Sequence, residues 1–287
     1  MSVAIVTDST AYLPAELVRA GSVPITVVPL HVVIGGKQHR EGVDVTIESL
    51  SEALQSFTPL STSRPSPQEF LDAYEAAAAS GASSVVSIHI SSEMSGTCQA
   101  AQIAAEQAPI PVEVVDSRSL GMAMGFGVLS AASAAGEGLP AAEVAEIARV
   151  RAAGAKVAFY VDTLEYLRRG GRIGSASALL GSAFAIKPIL TLVDGAIRPL
   201  EKVRTSSRAL ARLADLTASA ASEMAAAGGV DIAVQHLDSA SRAESLAATL
   251  RERVPQAGLV VVAELGAVVG THVGPGTLAA VASPRPR

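Results

Sequence analysis

The stretch His89-Ile90-Ser91-Ser92-Glu93-Met94-Ser95-Gly96-Thr97 decides how this chain is read. Ahead of it, Ser84 to Ile90 has the pattern of a buried strand. Behind it, Cys98 to Glu106 reads as a helix. A hydroxyl-rich turn therefore stands at the carboxyl end of a strand and the amino end of a helix, where open α/β sheets bind ligands. Free backbone N–H groups and the positive end of the helix dipole suit such a turn to an anion. Taken alone, Ser95 reads as the N-cap of that helix. The turn becomes a site only if other hydroxyl-bearing turns converge on it.

Working outward, Val3 to Thr7 is a short apolar strand followed by Asp8-Ser9-Thr10, and Pro14 opens a helix that closes at Gly21. Ile25 to Ile34 reads as one long strand or a strand pair, with Pro29 marking a kink or edge and Gly35-Gly36 a turn. Thr46 is placed as N-cap of a helix ending near Phe57, with Ser49 at its third position and so no full capping box. Ser66, Pro67 and Glu69 give a strong start to the helix Phe70 to Ala79, which leaves Thr62 and Ser63 just outside it. Val112 to Asp116 is another strand, then a small-residue helix runs to about Gly136 and a further helix spans Ala141 to Ala153. Strands and helices alternating with short turns imply a parallel sheet with helices on both faces.

The style changes at Lys156. Val157 to Val161 is a strand, Leu164 to Leu167 a short helix, and Arg168-Arg169-Gly170-Gly171-Arg172 a basic loop. A hairpin turns at Asp194-Gly195, and a helix covers Ser207 to Ala227. Asp231 to Leu265 forms a β-α-β unit, and the tail carries His272 between glycines in a loop, with Pro284 to Arg287 read as frayed. The expected fold class is α/β in two domains, with a parallel sheet in 1–155 and a smaller mixed-sheet α/β unit in 156–287.

Composition narrows the function. The chain has 287 residues, 49% of them hydrophobic, enough for a substantial core in one or two domains. No apolar run reaches membrane-spanning length, and the amino terminus enters a strand with no signal-like segment. A cytoplasmic protein without integral membrane association is expected. One cysteine excludes an internal disulfide or a multi-cysteine metal site, and a net charge of −5 with 3% aromatics argues against a nucleic-acid partner. Much of the apolar excess is alanine, which either packs helices closely or leaves the larger side chains to line an internal cavity.

No G-x-G-x-x-G follows the first strand and no Walker A motif exists, so no nucleotide cofactor is expected. The five histidines lack ligand spacing, so no metal is expected either. Ser95, His272 and an aspartate such as Asp116 or Asp238 could compose a hydrolase triad, although the G-x-S-x-G elbow is missing. Arg168, Arg169 and Arg172 read equally as a solvated charge cluster or as a dock for an acidic partner or a phosphate.

Several of these segments together are similar to the DegV family. The likeness rests on Thr62-Ser63-Arg64-Pro65-Ser66-Pro67, Ser91 to Thr97, Tyr166 to Ile173 and Thr271-His272-Val273-Gly274-Pro275-Gly276. Thr7-Asp8-Ser9-Thr10, Val115-Asp116-Ser117 and Lys187-Pro188-Ile189-Leu190 add to it, so that it runs from residue 3 to about 278. Departures are small: Arg64, Met94 and Cys98 stand where the family more usually has Gln, Leu and Tyr.

The resemblance implies a Rossmann-like domain plus a smaller α/β domain, with a long-chain fatty acid held between them. It also implies that the protein is a binding subunit and not the catalyst, presenting the carboxylate to a separate kinase subunit that makes the acyl phosphate. By the same resemblance Thr62, Ser95 and His272 hold the carboxylate, with Ser63, Ser92, Gly96 and Thr97 around them. The Arg168, Arg169 and Arg172 loop faces the kinase. Elementary energetics agree: each buried methylene contributes roughly 0.8 kcal/mol, whereas a carboxylate cannot enter apolar surroundings unpaired. Acyl- or ester-hydrolysis by Ser95 and His272 is the competing expectation.

Overall fold

The computed structural model describes residues 2–21, 23–56, 58–179 and 187–286. The first half runs β1 (Val3–Asp8), α1 (Ala15–Ala20), β2 (Ile25–Val28), β3 (His31–Ile34), β4 (Lys37–Arg40), α2 (Ile47–Gln55), β5 (Leu60–Ser63), α3 (Pro67–Ala79), β6 (Ser84–His89), α4 (Thr97–Ala105), β7 (Val112–Asp116), α5 (Gly121–Gly136) and α6 (Ala141–Gly154). The second half runs β8 (Lys156–Tyr160), α7 (Glu165–Arg169), β9 (Lys187–Val193), β10 (Ala196–Val203), α8 (Ser206–Ala227), β11 (Val230–His236), α9 (Ala240–Arg253), β12 (Val260–Glu264), α10 (Ala267–Val273) and β13 (Leu278–Pro284).

Three sheets result. Strands β2-β1-β6-β7 form an all-parallel sheet, and β6 is buried over nearly its whole length because helices cover both faces. The second sheet is mixed and six strands wide, in the order β10-β9-β8-β13-β11-β12, with only β11 and β12 parallel. The third is a small antiparallel sheet, β4-β3-β5.

Helices α5 and α6 lie between the two large sheets and pack on both, while α3 and α4 cover the outer face of the first and α8 and α9 that of the second. A helix buried on every side cannot carry a polar face. This accounts for the Gly- and Ala-rich sequence of α5, in which residues such as Met124, Phe126, Val128 and Ala131 are all fully covered. A Cβ at Gly127 would press on the Ala148 carbonyl, so glycine sets how closely α5 meets α6.

Ile25 to Ile34 is the strand pair of the two alternatives, its members in two different sheets and broken at Pro29-Leu30. Several other expectations need correction. The strands flanking that region, β4 and β5, are too polar and too short to have been read, and Thr62 lies on β5 instead of in a turn. Thr46 and Ser49 do form a reciprocal capping box, since a serine hydroxyl reaches back as a glutamate would. The end expected near Phe57 falls outside the described residues, and α2 closes at Gln55. The short helix expected at Leu164 to Leu167 sits slightly later, at Glu165–Arg169.

The largest correction concerns the carboxyl terminus. β13 runs through Pro284 at the centre of the mixed sheet, paired with β8 and β11, and Arg285 donates to Asp231, so that end is not frayed. Arg287 lies outside the described residues. Its small-residue sequence, Leu278-Ala279-Ala280-Val281-Ala282, lacks the alternation of a half-exposed strand because both faces are covered.

Asp231 pins the layers together. Its carboxylate meets the buried Arg151 guanidinium from α6 and accepts from Arg285 Nε and the Leu259 N–H, each at 2.9 Å. Arg151 also reaches Ser130 on α5 and Ser283 on β13. Removing one partner of a buried ion pair strands the other. Asp231→Ala should therefore lower stability by about 3–5 kcal/mol in urea unfolding, and a loss under 1 kcal/mol would show that water reaches Arg151 freely.

Candidate ligand-binding cavity

A cavity lies between the mixed sheet and α10. Its floor is the inner face of that sheet, where Gln235, Ala279 and Phe159 stand side by side across β11, β13 and β8. Leu192, Val157 and Val281 extend the same face. The roof is built by Val268 and Val269 of α10 with Leu30, Ile90 and Leu120 from the first half of the chain. The cavity has a volume of about 110 Å3 and opens to solvent at one end.

Polar groups gather at its mouth. Thr62 Oγ1 and His272 Nε2 are hydrogen-bonded at 2.8 Å, joining β5 to the last turn of α10. Ser95 lines the same cavity, its hydroxyl paired with that of the buried Thr97 at 2.8 Å. Arg64 lies over the amino end of α4, donating to Gly96 O and Gln99 Oε1 at 3.3 and 3.2 Å. A Cβ at Gly96 would meet that guanidinium, so the arginine lies directly on the turn. Arg172 donates to Met94 O at 3.2 Å from the facing loop. A cation at a helix amino terminus adds to the dipole instead of opposing it, so this corner strongly favours an anion.

His272 carries no charge at neutral pH. Burial, with a lesser contribution from the Arg172 charge, pushes its imidazole down to about 4. Its Nδ1 is buried without a partner and faces Gly170, where a Cβ would overlap the ring. The other end of α10 is anchored by Glu41, whose carboxylate accepts from Val268 N at 2.7 Å, Ser9 Oγ at 2.5 Å and Tyr12 OH at 3.1 Å. Burial raises the Glu41 carboxyl, and those three hydrogen bonds offset part of the rise.

A family model described as "Uncharacterised protein, DegV family" matches residues 2–285. The chain belongs to the DegV family. It is 52% identical over 283 residues to a DegV domain-containing protein of Streptomyces coelicolor, covering 99% of both chains. Among solved structures it is similar to a DegV family protein from Thermus thermophilus described for its fatty acid binding, with 33% identity, TM-score 0.87, and 99% and 100% of the two chains covered. It is also similar to DegV of Bacillus subtilis, described as a fatty acid binding protein, with 32% identity, TM-score 0.89 and the same coverage. The α/β architecture, with its parallel and mixed sheets, is that of the DegV structures.

In this DegV-family fold, Thr62, Ser63, Ser95, His272 and Arg172 all border the one cavity. Thr97 is buried behind Ser95 and bonded to it. Ser92 is turned away to Asp116 Oδ2 at 2.5 Å. Arg168 and Arg169 are exposed beside the mouth, both held by Glu165. Two local readings change. Ser95 is not the N-cap, which is Gly96, and its hydroxyl accepts only distantly from Thr97 N at 3.4 Å. His272 sits in a helix and not in a loop, because Gly270 and Gly274 lie within and just after α10.

No triad is assembled. Catalysis of that type needs the second imidazole nitrogen bonded to a carboxylate, whereas His272 Nδ1 faces Gly170 and its Nε2 is taken by Thr62. Asp116 serves Ser92 and the Arg118 backbone. The crevice at the carboxyl ends of β1 and β6 is closed by buried side chains. Asp8 fills it, accepting from Ile90 N at 2.9 Å and meeting His89 Nδ1 at 3.1 Å, with both residues fully buried. Glu41 and Gln235 escaped the sequence reading. A lone amide in the apolar run Ile232-Ala233-Val234-Gln235 was a usable signal, while nothing local marks Glu41. Among the described residues no group of three or more His, Cys, Asp or Glu could hold a metal, and no helix is long and apolar enough to cross a membrane.

Because the folded imidazole titrates below its unfolded value, its contribution to stability is complete above about pH 6.5 and is lost as pH falls toward 4. NMR titration should find His272 neutral at pH 6, and His272→Asn should remove part of the stability loss between pH 6.5 and 4. An imidazole titrating near 6.5 would show that water hydrates the ring in solution.

Proposed function

We propose that this protein binds a long-chain fatty acid in the cavity, between the segments 1–155 and 156–287, and presents the carboxylate at the mouth. The observation that carries the reading is an apolar chamber whose polar groups are concentrated where Thr62, Ser95, His272, Arg64 and Arg172 meet. An acyl chain gains roughly 0.8 kcal/mol per buried methylene along such walls. Its carboxylate needs donors where it stops. The hydroxyls of Thr62 and Ser95 supply them without a buried cation, and a neutral His272 can share in the hydrogen bonding. The fatty acid binding ascribed to the Thermus and Bacillus proteins supports this reading.

We further propose that the protein is a cytoplasmic carrier and not itself a catalyst, and that a separate kinase phosphorylates the exposed carboxylate. A second, more polar cleft adjoins the mouth, sharing Thr62, Arg172 and His272 with the chamber and bordered by Tyr166 and Arg169. A phosphate donor could approach along it. The exposed pair Arg168 and Arg169 beside that cleft offers the docking contact.

Organic extraction and mass spectrometry of the purified protein should yield about one long-chain fatty acid per chain. In calorimetry, Thr62→Ala or Ser95→Ala should weaken fatty-acid affinity about tenfold, because a hydrogen bond to a charged group contributes roughly 1.5–3 kcal/mol. Wild-type affinity in both variants would place the carboxylate elsewhere. The double change Arg168→Ala, Arg169→Ala should leave bound lipid intact while slowing acyl phosphate formation by a cognate kinase. Equal loss of lipid would make those arginines structural.

A further inference from the structure

Gln235 is a polar residue in the floor of the chamber, 2% exposed. Its carbonyl Oε1 accepts from the Met122 N–H at 2.8 Å. That donor is one of the free amides at the start of α5, whose N-cap Leu120 offers no side-chain cap. The bond fixes which way the amide points, because the Met122 N–H requires the oxygen. Gly121, in the left-handed region at φ 61°, leaves room for the carboxamide, which a Cβ there would strike.

Nε2 is thereby committed to the other direction, and among the described residues it is buried without a partner. A buried donor left unmade costs about 1–3 kcal/mol. The bond to Met122 accounts for the oxygen of this amide and leaves its nitrogen unexplained, beside the apolar Ala279 and Phe159. Thr277 borders the same chamber; its hydroxyl donates to Gly274 O at 2.8 Å and Val273 O at 3.2 Å, which leaves its oxygen free to accept. One wall thus offers an unused donor and an unused acceptor. An alcohol is the group that takes from the first and gives to the second.

We propose that Gln235, with Thr277, forms a subsite for a hydroxyl group borne on the acyl chain, so that the protein takes an internally hydroxylated long-chain fatty acid in preference to the plain chain. This rests on the fatty-acid reading above and adds the substrate class. Binding of the hydroxylated chain satisfies Nε2, whereas a plain chain leaves it unpaired or traps a water against it.

The test is competition calorimetry with octadecanoic acid and a series of its monohydroxy isomers, the hydroxyl moved along the chain. One or two adjacent positions should bind about three- to tenfold more tightly than the plain acid, the effect of one neutral hydrogen bond. In Gln235→Met, of similar shape but with no amide, the preference should fall to one or below while the plain acid binds at least as well. Three results would overturn the proposal: no isomer preferred by the wild type, a preference that survives in Gln235→Met, or an equal loss of the plain acid in that variant. The wild-type series decides the matter even if the variant does not fold. Failure of every acyl chain to bind would overturn the fatty-acid reading and this one with it, whereas equal binding of all of them overturns this one alone.

Discussion

A buried carboxylate decides where the ligand can go. In an open parallel sheet the crevice at the switch between strand crossovers is the usual site, and here the switch lies between β1 and β6. Asp8 occupies it, accepting from Thr10 N, the Thr10 hydroxyl, Ile90 N and facing His89. His89 in turn is bonded to Ser87, which accepts from Tyr74. Every member is fully buried, so each must be satisfied internally or cost free energy. The network closes the crevice and fixes the exit of β6, from which the Ser91 to Thr97 turn is aimed outward toward the mixed sheet. Ser91 completes the aim by donating to Gly195 O on the β9–β10 hairpin at 2.8 Å.

The chamber therefore belongs to neither sheet alone. Its floor is the mixed sheet and much of its polar rim comes from the first half, so the cavity exists only where the halves meet. This resolves what the alanine-rich composition left open. Alanine and glycine serve α5 and α6, which must pass between two sheets. Larger residues such as Phe159, Leu192 and Val268 are spent on the chamber walls. Close packing in one layer and empty space in the next are two outcomes of the same apolar excess, separated by side-chain size.

The regular elements were legible because their signals are local. The Ser66, Pro67 and Glu69 start of α3 is written in four residues, and the Asp194-Gly195 hairpin in two. What stayed hidden depends on distant partners. β13 reads as a tail because a strand covered on both faces has no alternation, and only its neighbours β8 and β11 make it central. β5 is a leucine and three hydroxyl residues whose hydrogen bonds to β3 lie far back in the chain. Of the site, the hydroxyl-bearing segments were visible, but not that the N-cap of α4 falls one residue later, at Gly96, with the Ser95 hydroxyl paired with that of Thr97. Glu41 had no signal, since its role is defined wholly by a helix more than two hundred residues later.

That helix gives the small sheet its purpose. α10 is about two turns long and too short to be stable by itself. Glu41, just after β4, accepts from Val268 N at its amino end, where the dipole favours a carboxylate. Thr62, on β5, bonds His272 at its carboxyl end. Both grips come from the sheet β4-β3-β5, and β3 and β5 also pack against the helix. The two bonds fix the position of α10 along its axis, so the imidazole reaches the mouth while Val268 and Val269 stay over the chamber. A ligand carboxylate that draws on Thr62 or His272 must compete with the bond between them, which means that filling the mouth loosens one of the two grips on α10. The anchor at Glu41 is untouched by that exchange, and it keeps the roof in place while the mouth rearranges.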